Sequence, residues 1–279
     1  MRGVLLVLVG LMAVVIVSAS TGRSAERPSS KDAAYQPGPA YALTIVYDNY
    51  QYTPELATAW GFGCVVDSPE MRILFDTGGD GSLLLRNLAA LGIDPASISV
   101  VVLSHIHGDH VGGLDEFLRV NPNVTVYVPA TFPSRMLAGI RAAGATVIPV
   151  SGPTRITASV STTGPLPGPP PEQSLLVETP AGCVVVTGCA HPGVVRIVSR
   201  ARQLGHEPIY LVLGGFHLAG ASSSALDEVL RGLESQGVQH VAPCHCSGRA
   251  IRERLREQYP SWYIESGVGC RIVIPGETP

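Results

Sequence analysis

Between His105 and His110 the chain places three histidines and one carboxylate within six residues, in the order Ser104-His105-Ile106-His107-Gly108-Asp109-His110. Such side chains are costly to bury unpaired, whereas neutral imidazole nitrogens and carboxylate oxygens are ready donors to a divalent cation. In extended backbone the His-x-His alternation turns the His105 and His107 rings to the same side, where they can share one ion. Asp109 and His110 follow a turn at Gly108 and can meet a second ion, and Gly112-Gly113 lets the backbone pass close beneath the metals. Two divalent ions are therefore expected. Zinc comes first, and iron, manganese or magnesium are alternatives for mixed nitrogen and oxygen donors. The competing reading is a solvated polar loop that happens to hold three histidines; a strand-like run directly before the segment favours the metal reading.

That run is Ile98 to Leu103, β-branched and bounded by polar residues, fit for a buried strand that delivers Ser104 onward to a sheet edge. Before it lie further runs of strand length, Leu43 to Tyr47, Gly63 to Val66 and Arg72 to Phe75, and a helix from Ser82 to Leu91 whose leucines share one face and which Gly92 stops. After it, strands at Val124 to Val128, Thr146 to Val150 and Arg155 to Thr162 accompany a helix at Phe132 to Ala143. Gly164 to Pro171 carries five prolines in eight residues and is a stiff loop. A hairpin, Ser174 to Glu178 with Cys183 to Thr187, follows. Helix Gly193 to Leu204, strand Ile209 to Leu213, helix Ser223 to Gln236, strand His240 to Ala242 and helix Arg249 to Gln258 complete the pattern. The arrangement that accommodates these elements is an α+β fold, an αββα sandwich of two mixed β-sheets flanked by helices, over one domain from 41 to 279.

Residues 1–20 read differently. After Arg2, Gly3 to Val17 is almost wholly apolar and ends in Ser18-Ala19-Ser20, with Val17 and Ala19 suited to the −3 and −1 positions of a secretory signal. An uncleaved single-span anchor is the alternative. Residues 21–40 form a Ser-, Pro- and charge-rich tether. Either way the domain is expected outside the cytoplasm, periplasmic, secreted or anchored facing outward, with membrane contact through the first segment only. A net charge of −3 over 279 residues offers no basic stripe, so nucleic acid is not expected, and the small-molecule substrate expected here is read from the site rather than from charge. Of six cysteines, Cys244 and Cys246 lie too close for an unstrained bridge, and the rest are open to buried thiols or to one bridge among Cys64, Cys183, Cys189 and Cys270.

The H-x-H-x-D-H motif after a strand resembles that of the metallo-β-lactamase superfamily, and Ile73-Leu74-Phe75-Asp76-Thr77-Gly78 resembles its strand-to-Asp-Thr-Gly segment. The resemblance implies that Asp76 supports the site by hydrogen bonds rather than as a ligand; a turn-forming Asp is the plainer reading. Thr187-Gly188-Cys189-Ala190-His191-Pro192-Gly193, Leu213-Gly214-Gly215-Phe216-His217-Leu218 and Pro243-Cys244-His245-Cys246-Ser247-Gly248 look like the dihydropteroate-synthase-like subgroup, linked to a methanopterin-pathway synthase. Tyr47-Asp48-Asn49 also resembles that subgroup, which implies a substrate or supporting role for Asn49. Hydrolytic relatives usually read Thr-Gly-Asp where this chain has Cys189, and place a His in the loop that here is Gly164 to Pro171. The implied metal ligands are then His105, His107, Asp109, His110, His191 and His245, with His191 replacing a missing donor and His245 completing the second ion. Cys189 is read as a thiol packed beside the metal loop or a soft ligand, and His217 as a substrate or supporting group or a structural residue. His206 and His240 are read as structural or solvated.

The expected activity is metal-assisted hydrolysis of an ester, phosphoester or amide-type bond, with Asp109 orienting the water nucleophile. Two alternatives stand beside it. One is a condensing synthase of dihydropterin and aminobenzoate-type substrates, and the other is a non-catalytic metal-binding or sensing module.

Overall fold

The computed structural model describes residues 41–276; the expected signal and tether lie outside the described residues. The strands are β1 (Ala42–Tyr47), β2 (Gly63–Asp67), β3 (Arg72–Phe75), β4 (Ile98–Val102), β5 (Thr125–Pro129), β6 (Thr146–Val150), β7 (Thr154–Arg155), β8 (Val160–Thr162), β9 (Leu175–Thr179), β10 (Gly182–Thr187), β11 (Ile209–Gly215), β12 (His240–Cys244) and β13 (Arg271–Val273). They form two sheets, ordered β13-β1-β2-β3-β4-β5-β6 and β12-β11-β10-β9-β8-β7. Both are mixed: β3 to β6 run parallel, as do β10 to β12, and the remaining neighbours are antiparallel.

The two sheets face each other over a core that includes Leu43, Ile45, Phe75, Val102, Leu175, Val184 and Leu213. Alternate residues of the same strands face outward onto helices. On the first sheet Leu74, Val101 and Val126 meet α1 (Gly81–Ala90), α3 (Leu114–Val120) and α4 (Ser134–Ala142) through Leu84, Leu88, Phe117 and Ile140. On the second, Val185 and Val212 meet α5 (Val194–Gln203), α6 (Ser223–Ser235) and α7 (Arg249–Gln258) through Ile197, Leu230 and Leu255. Burial on both faces is why these strands read as continuous apolar runs rather than strict alternations. The expected αββα sandwich is the observed one. Helix starts follow their capping residues, since Asp80 accepts from the Leu83 amide and Ser222 from that of Ala225.

Three local readings change. Arg155 to Thr162 is two short strands, because the Thr157 hydroxyl accepts from the Ser159 and Val160 amides and folds the chain into a turn. Residues Gly108–Val111 form a short helix, α2, rather than an open turn. Strand β13, which pairs with β1, had too short a run to be read. All six cysteines are buried free thiols. Among the described residues no helix is long and apolar enough to cross a membrane.

Candidate metal centre

The strands β1, β3, β4, β10, β11 and β12 end at the same side of the sandwich, and the loops that leave them carry Asn49, Asp76, His105, His191, His217 and His245. Crevices beyond the carboxyl ends of parallel strands are the usual ligand sites of such sheets. Here the six predicted ligands fall into two groups. His105, His107 and His191 bring donor atoms within 4.8 Å of one another, and Asp109, His110, Cys189 and His245 do the same. Every predicted ligand is thus in one group or the other, and Cys189 is in the second.

Buried hydrogen bonds fix how the rings point. Asp76, fully buried at the end of β3, accepts from the Ser104 amide through Oδ1 at 2.7 Å and from the Ser104 hydroxyl through Oδ2 at 2.6 Å. The same Oδ2 takes His110 Nδ1 at 2.7 Å, and the Ser104 hydroxyl oxygen takes His105 Nδ1 at 2.9 Å. One carboxylate therefore orients two imidazoles, one directly and one through a serine, and leaves both Nε2 atoms as lone-pair donors. Asp76 thus hydrogen-bonds one predicted ligand directly and reaches another through Ser104. Burial pushes its pKa well above the usual carboxylate value, against the hydrogen bonds from Ser104. Burial likewise lowers His105 to about 2 and His110 to about 3, so both are neutral, as metal ligands must be.

His245 begins a short 3-10 turn after β12. Its Nδ1 meets Asn49 Oδ1 at 3.0 Å, and its amide donates to Asp48 Oδ1 at 3.2 Å. Asn49 thus hydrogen-bonds the ring of a predicted ligand. With Nδ1 donating, Nε2 of His245 presents its lone pair to Asp109 Oδ2 at 3.3 Å, yet that Nε2 is buried without a hydrogen-bond partner, as is Nε2 of His105. The facing pair is satisfied by a proton on His245 Nε2 or by a cation between the two atoms. Burial raises Asp109, but His245 and His110 beside it outweigh this and hold it well below the usual carboxylate range.

The sequence reading missed Glu172, which follows the proline-rich loop directly. It is fully buried, and its Oε1 accepts the amides of Gly188, Cys189 and Ala190 at 3.0, 2.9 and 2.8 Å. Its Oε2 accepts the His191 amide at 2.9 Å, contacts His191 Nδ1 at 2.8 Å and lies 3.9 Å from His105 Nδ1. Burial raises Glu172, but His191 and these amides prevail and hold it at about 2. The only sequence sign was a lone acid between three prolines and an apolar strand.

Cys189 Sγ lies 3.1 Å from His110 Nε2. With Nδ1 of His110 bound to Asp76, that Nε2 accepts the thiol proton; the interaction with Cys246, together with burial, pushes the Cys189 pKa far up. His217 is exposed, its ring 4.7 Å from that of His191, and groups with Cys189 and Cys246. Trp60 lies over His245, ring centroids 4.7 Å apart. His240 packs against Tyr210 and His206 pairs with Glu178, both away from the metal centre.

Two backbone features support the loops. Gly112 and Gly113 were expected to let the chain pass beneath the metals. Instead they admit the Asp76 loop: a Cβ on Gly113 would meet the Thr77 carbonyl oxygen at 2.2 Å, and one on Gly112 the Gly79 oxygen at 2.5 Å. The described non-glycine residues with positive φ are Asp76, Ala190, His217 and His245, all in these loops, at 58°, 57°, 54° and 49°. Such backbone costs about 1 kcal/mol or more each and persists where surrounding contacts dictate it.

The residues fit the group they would hold: five imidazoles, a carboxylate and a thiol, with unpaired lone pairs converging on two points, suit a borderline-soft divalent ion better than magnesium.

The metallo-beta-lactamase superfamily model matches residues 64–197. The chain is 28% identical over 233 residues to the 7,8-dihydropterin-6-methyl-4-(beta-D-ribofuranosyl)-aminobenzene-5'-phosphate synthase of Methanocaldococcus jannaschii, covering 67% of this chain and 79% of that one. Among solved structures it is similar to Tm1679, a metal-dependent hydrolase of the beta-lactamase superfamily, with TM-score 0.72 and 24% identity over 84% of this chain and 99% of that one. It is also similar to the short form of human tRNase Z, with TM-score 0.58 and 14% identity over 84% of this chain and 99% of that one. The matched segment, which carries the His105 to His110 motif, is a metallo-beta-lactamase superfamily domain, and the paired mixed sheets around it share the fold of these solved structures.

Proposed function

We propose that the chain is a metal-dependent hydrolase that attacks an ester, phosphoester or amide-type bond of a small molecule with water. The observation that carries this reading is the facing pair His245 Nε2 and Asp109 Oδ2, 3.3 Å apart, beside a second group of three histidines. His105, His107 and His191 would hold one ion; Asp109, His110, Cys189 and His245 would hold the other, zinc being the best match to this donor set. Divalent ions bound there supply Lewis-acid polarisation and make water a nucleophile near neutral pH.

The chain's own residues do the rest. Asp76 and Glu172 fix the ring tautomers, and Asn49 holds His245. Asp109, partly open to solvent, is ionised and its Oδ2 is placed to orient the attacking water and accept its proton. The apolar run from Gly3 to Val17 supports a location outside the cytoplasm.

A second reading, condensation of a dihydropterin with an aminobenzoate-type partner, is supported by the similarity to the archaeal synthase. Turnover of a panel of esters, phosphodiesters and lactams, with and without chelator, separates the two from each other and from a non-catalytic module. Asp109→Asn, compared with the unaltered chain at saturating zinc, should cut hydrolysis by roughly 10²–10⁴-fold, and His245→Ala should bind at most one zinc per chain. Unchanged turnover in fully metallated Asp109→Asn sinks the hydrolytic mechanism.

A further inference from the structure

Trp60 is the most exposed large hydrophobic residue among those described, 56% accessible. A solitary exposed tryptophan needs no explanation by itself. This one differs in its place and its anchoring. Its indole centroid lies 4.7 Å from that of the His245 ring, at a 55° tilt. The backbone on both sides is tied to the site: the Ala59 amide donates to the Asp48 carbonyl, and the Phe62 amide to the carbonyl of Asp109 itself. Between them Gly61, at φ 141°, passes so close to the Asp109 carbonyl that a Cβ there would come within 2.5 Å of it. The chain therefore holds a large apolar face at a fixed position beside two groups of the second donor set, and among the described residues that face is left largely open to water.

We propose that Trp60 is a substrate platform, and that the substrate carries a flat conjugated ring adjoining the group that reaches the metal ligands. This rests on the metal-centre reading given above, since the ring's position has meaning only relative to the bond presented to Asp109 and His245. An indole offers a conjugated ring an offset or edge-on contact that a saturated ring of similar size cannot match, beyond the common benefit of apolar burial. Trp60 is a specificity-determining residue here, and not a catalytic one.

The test uses 2-naphthoate and its fully saturated counterpart, decahydro-2-naphthoate, as probes, whose carboxylates are alike and whose rings differ. Binding is measured calorimetrically to the zinc-loaded full chain, to Trp60→Ala and to Trp60→Phe, with zinc content determined on each sample. The unaltered chain should prefer naphthoate by about tenfold. Trp60→Phe should keep most of that preference, and Trp60→Ala should bring the two probes to within about threefold with zinc content unchanged. A preference that survives in Trp60→Ala overturns the proposal, as does zinc-loaded protein that shows no preference or binds neither probe at millimolar concentration. Failure of the metal-centre reading looks different: zinc does not bind, or chelation leaves naphthoate binding unaltered.

Discussion

Asp76 and Glu172 are both fully buried carboxylates beneath the metal centre, one in a loop of each sheet, and each orients histidines. Their settings differ. Asp76 takes one amide, one hydroxyl and one imidazole, too little to offset burial, so its pKa is raised. Glu172 takes four backbone amides and the His191 ring, and its pKa is held at about 2. Asp76 serves chiefly to set ring tautomers, whereas Glu172 is a fixed charge around which a loop is wound. The lesson is that two groups of the same chemistry, equally buried, are separated in role by how many backbone donors the fold aims at each.

The contrast breaks most readily at Glu172. Glu172→Gln sets an amide nitrogen among N–H donors, and urea unfolding of the metal-free chain near neutral pH should show a loss of about 3 kcal/mol. Because the folded-state pKa is depressed, this stabilisation is present above the unfolded value of 4.5 and is lost as pH falls from there toward about 2. The gap between the two proteins should therefore close across that window. A gap under about 1 kcal/mol near neutral pH, or one independent of pH in the acid range, would remove the distinction.

Asp76→Asn should act on the site more than on the fold. Zinc affinity is expected to fall about 10–100-fold as the His105 and His110 tautomers are released. Competition with a chromophoric chelator measures this; equal affinities would show that Ser104 and packing suffice to hold the rings. The smallest effect is expected at Asn49, which touches His245 alone among the ligands. Asn49→Ala should weaken zinc binding by about tenfold or less, and a larger loss would rank it with the carboxylates.

How much of this was legible in the sequence follows the same division. The cluster from His105 to His110 is contiguous and could be read from spacing, as could most strands, because strands buried on two faces leave uninterrupted apolar runs. His191 and His245 could be placed only through resemblance, since their loops meet the cluster only once both sheets are assembled. Glu172 carried no motif at all: its partners are main-chain amides, which any sequence supplies, and only the path of the loop from Gly188 to His191 reveals them. Arg155 to Thr162 misled for a local reason, a threonine hydroxyl competing with the ladder for backbone amides.

The donors of each group are drawn from both sheets: His105 and His107 join His191 across the sandwich, and Asp109 and His110 join Cys189 and His245. An ion in either place is thus a further cross-link between two halves of the chain already joined by side-chain packing and by hydrogen bonds such as that from the Gln173 amide to the Ser104 carbonyl. Its binding free energy is added to the cohesion of the whole sandwich, by an amount that grows with the logarithm of ion concentration over dissociation constant. The sheets would then separate only after the ion has left, so that the availability of metal outside the protein sets how long the two halves stay together.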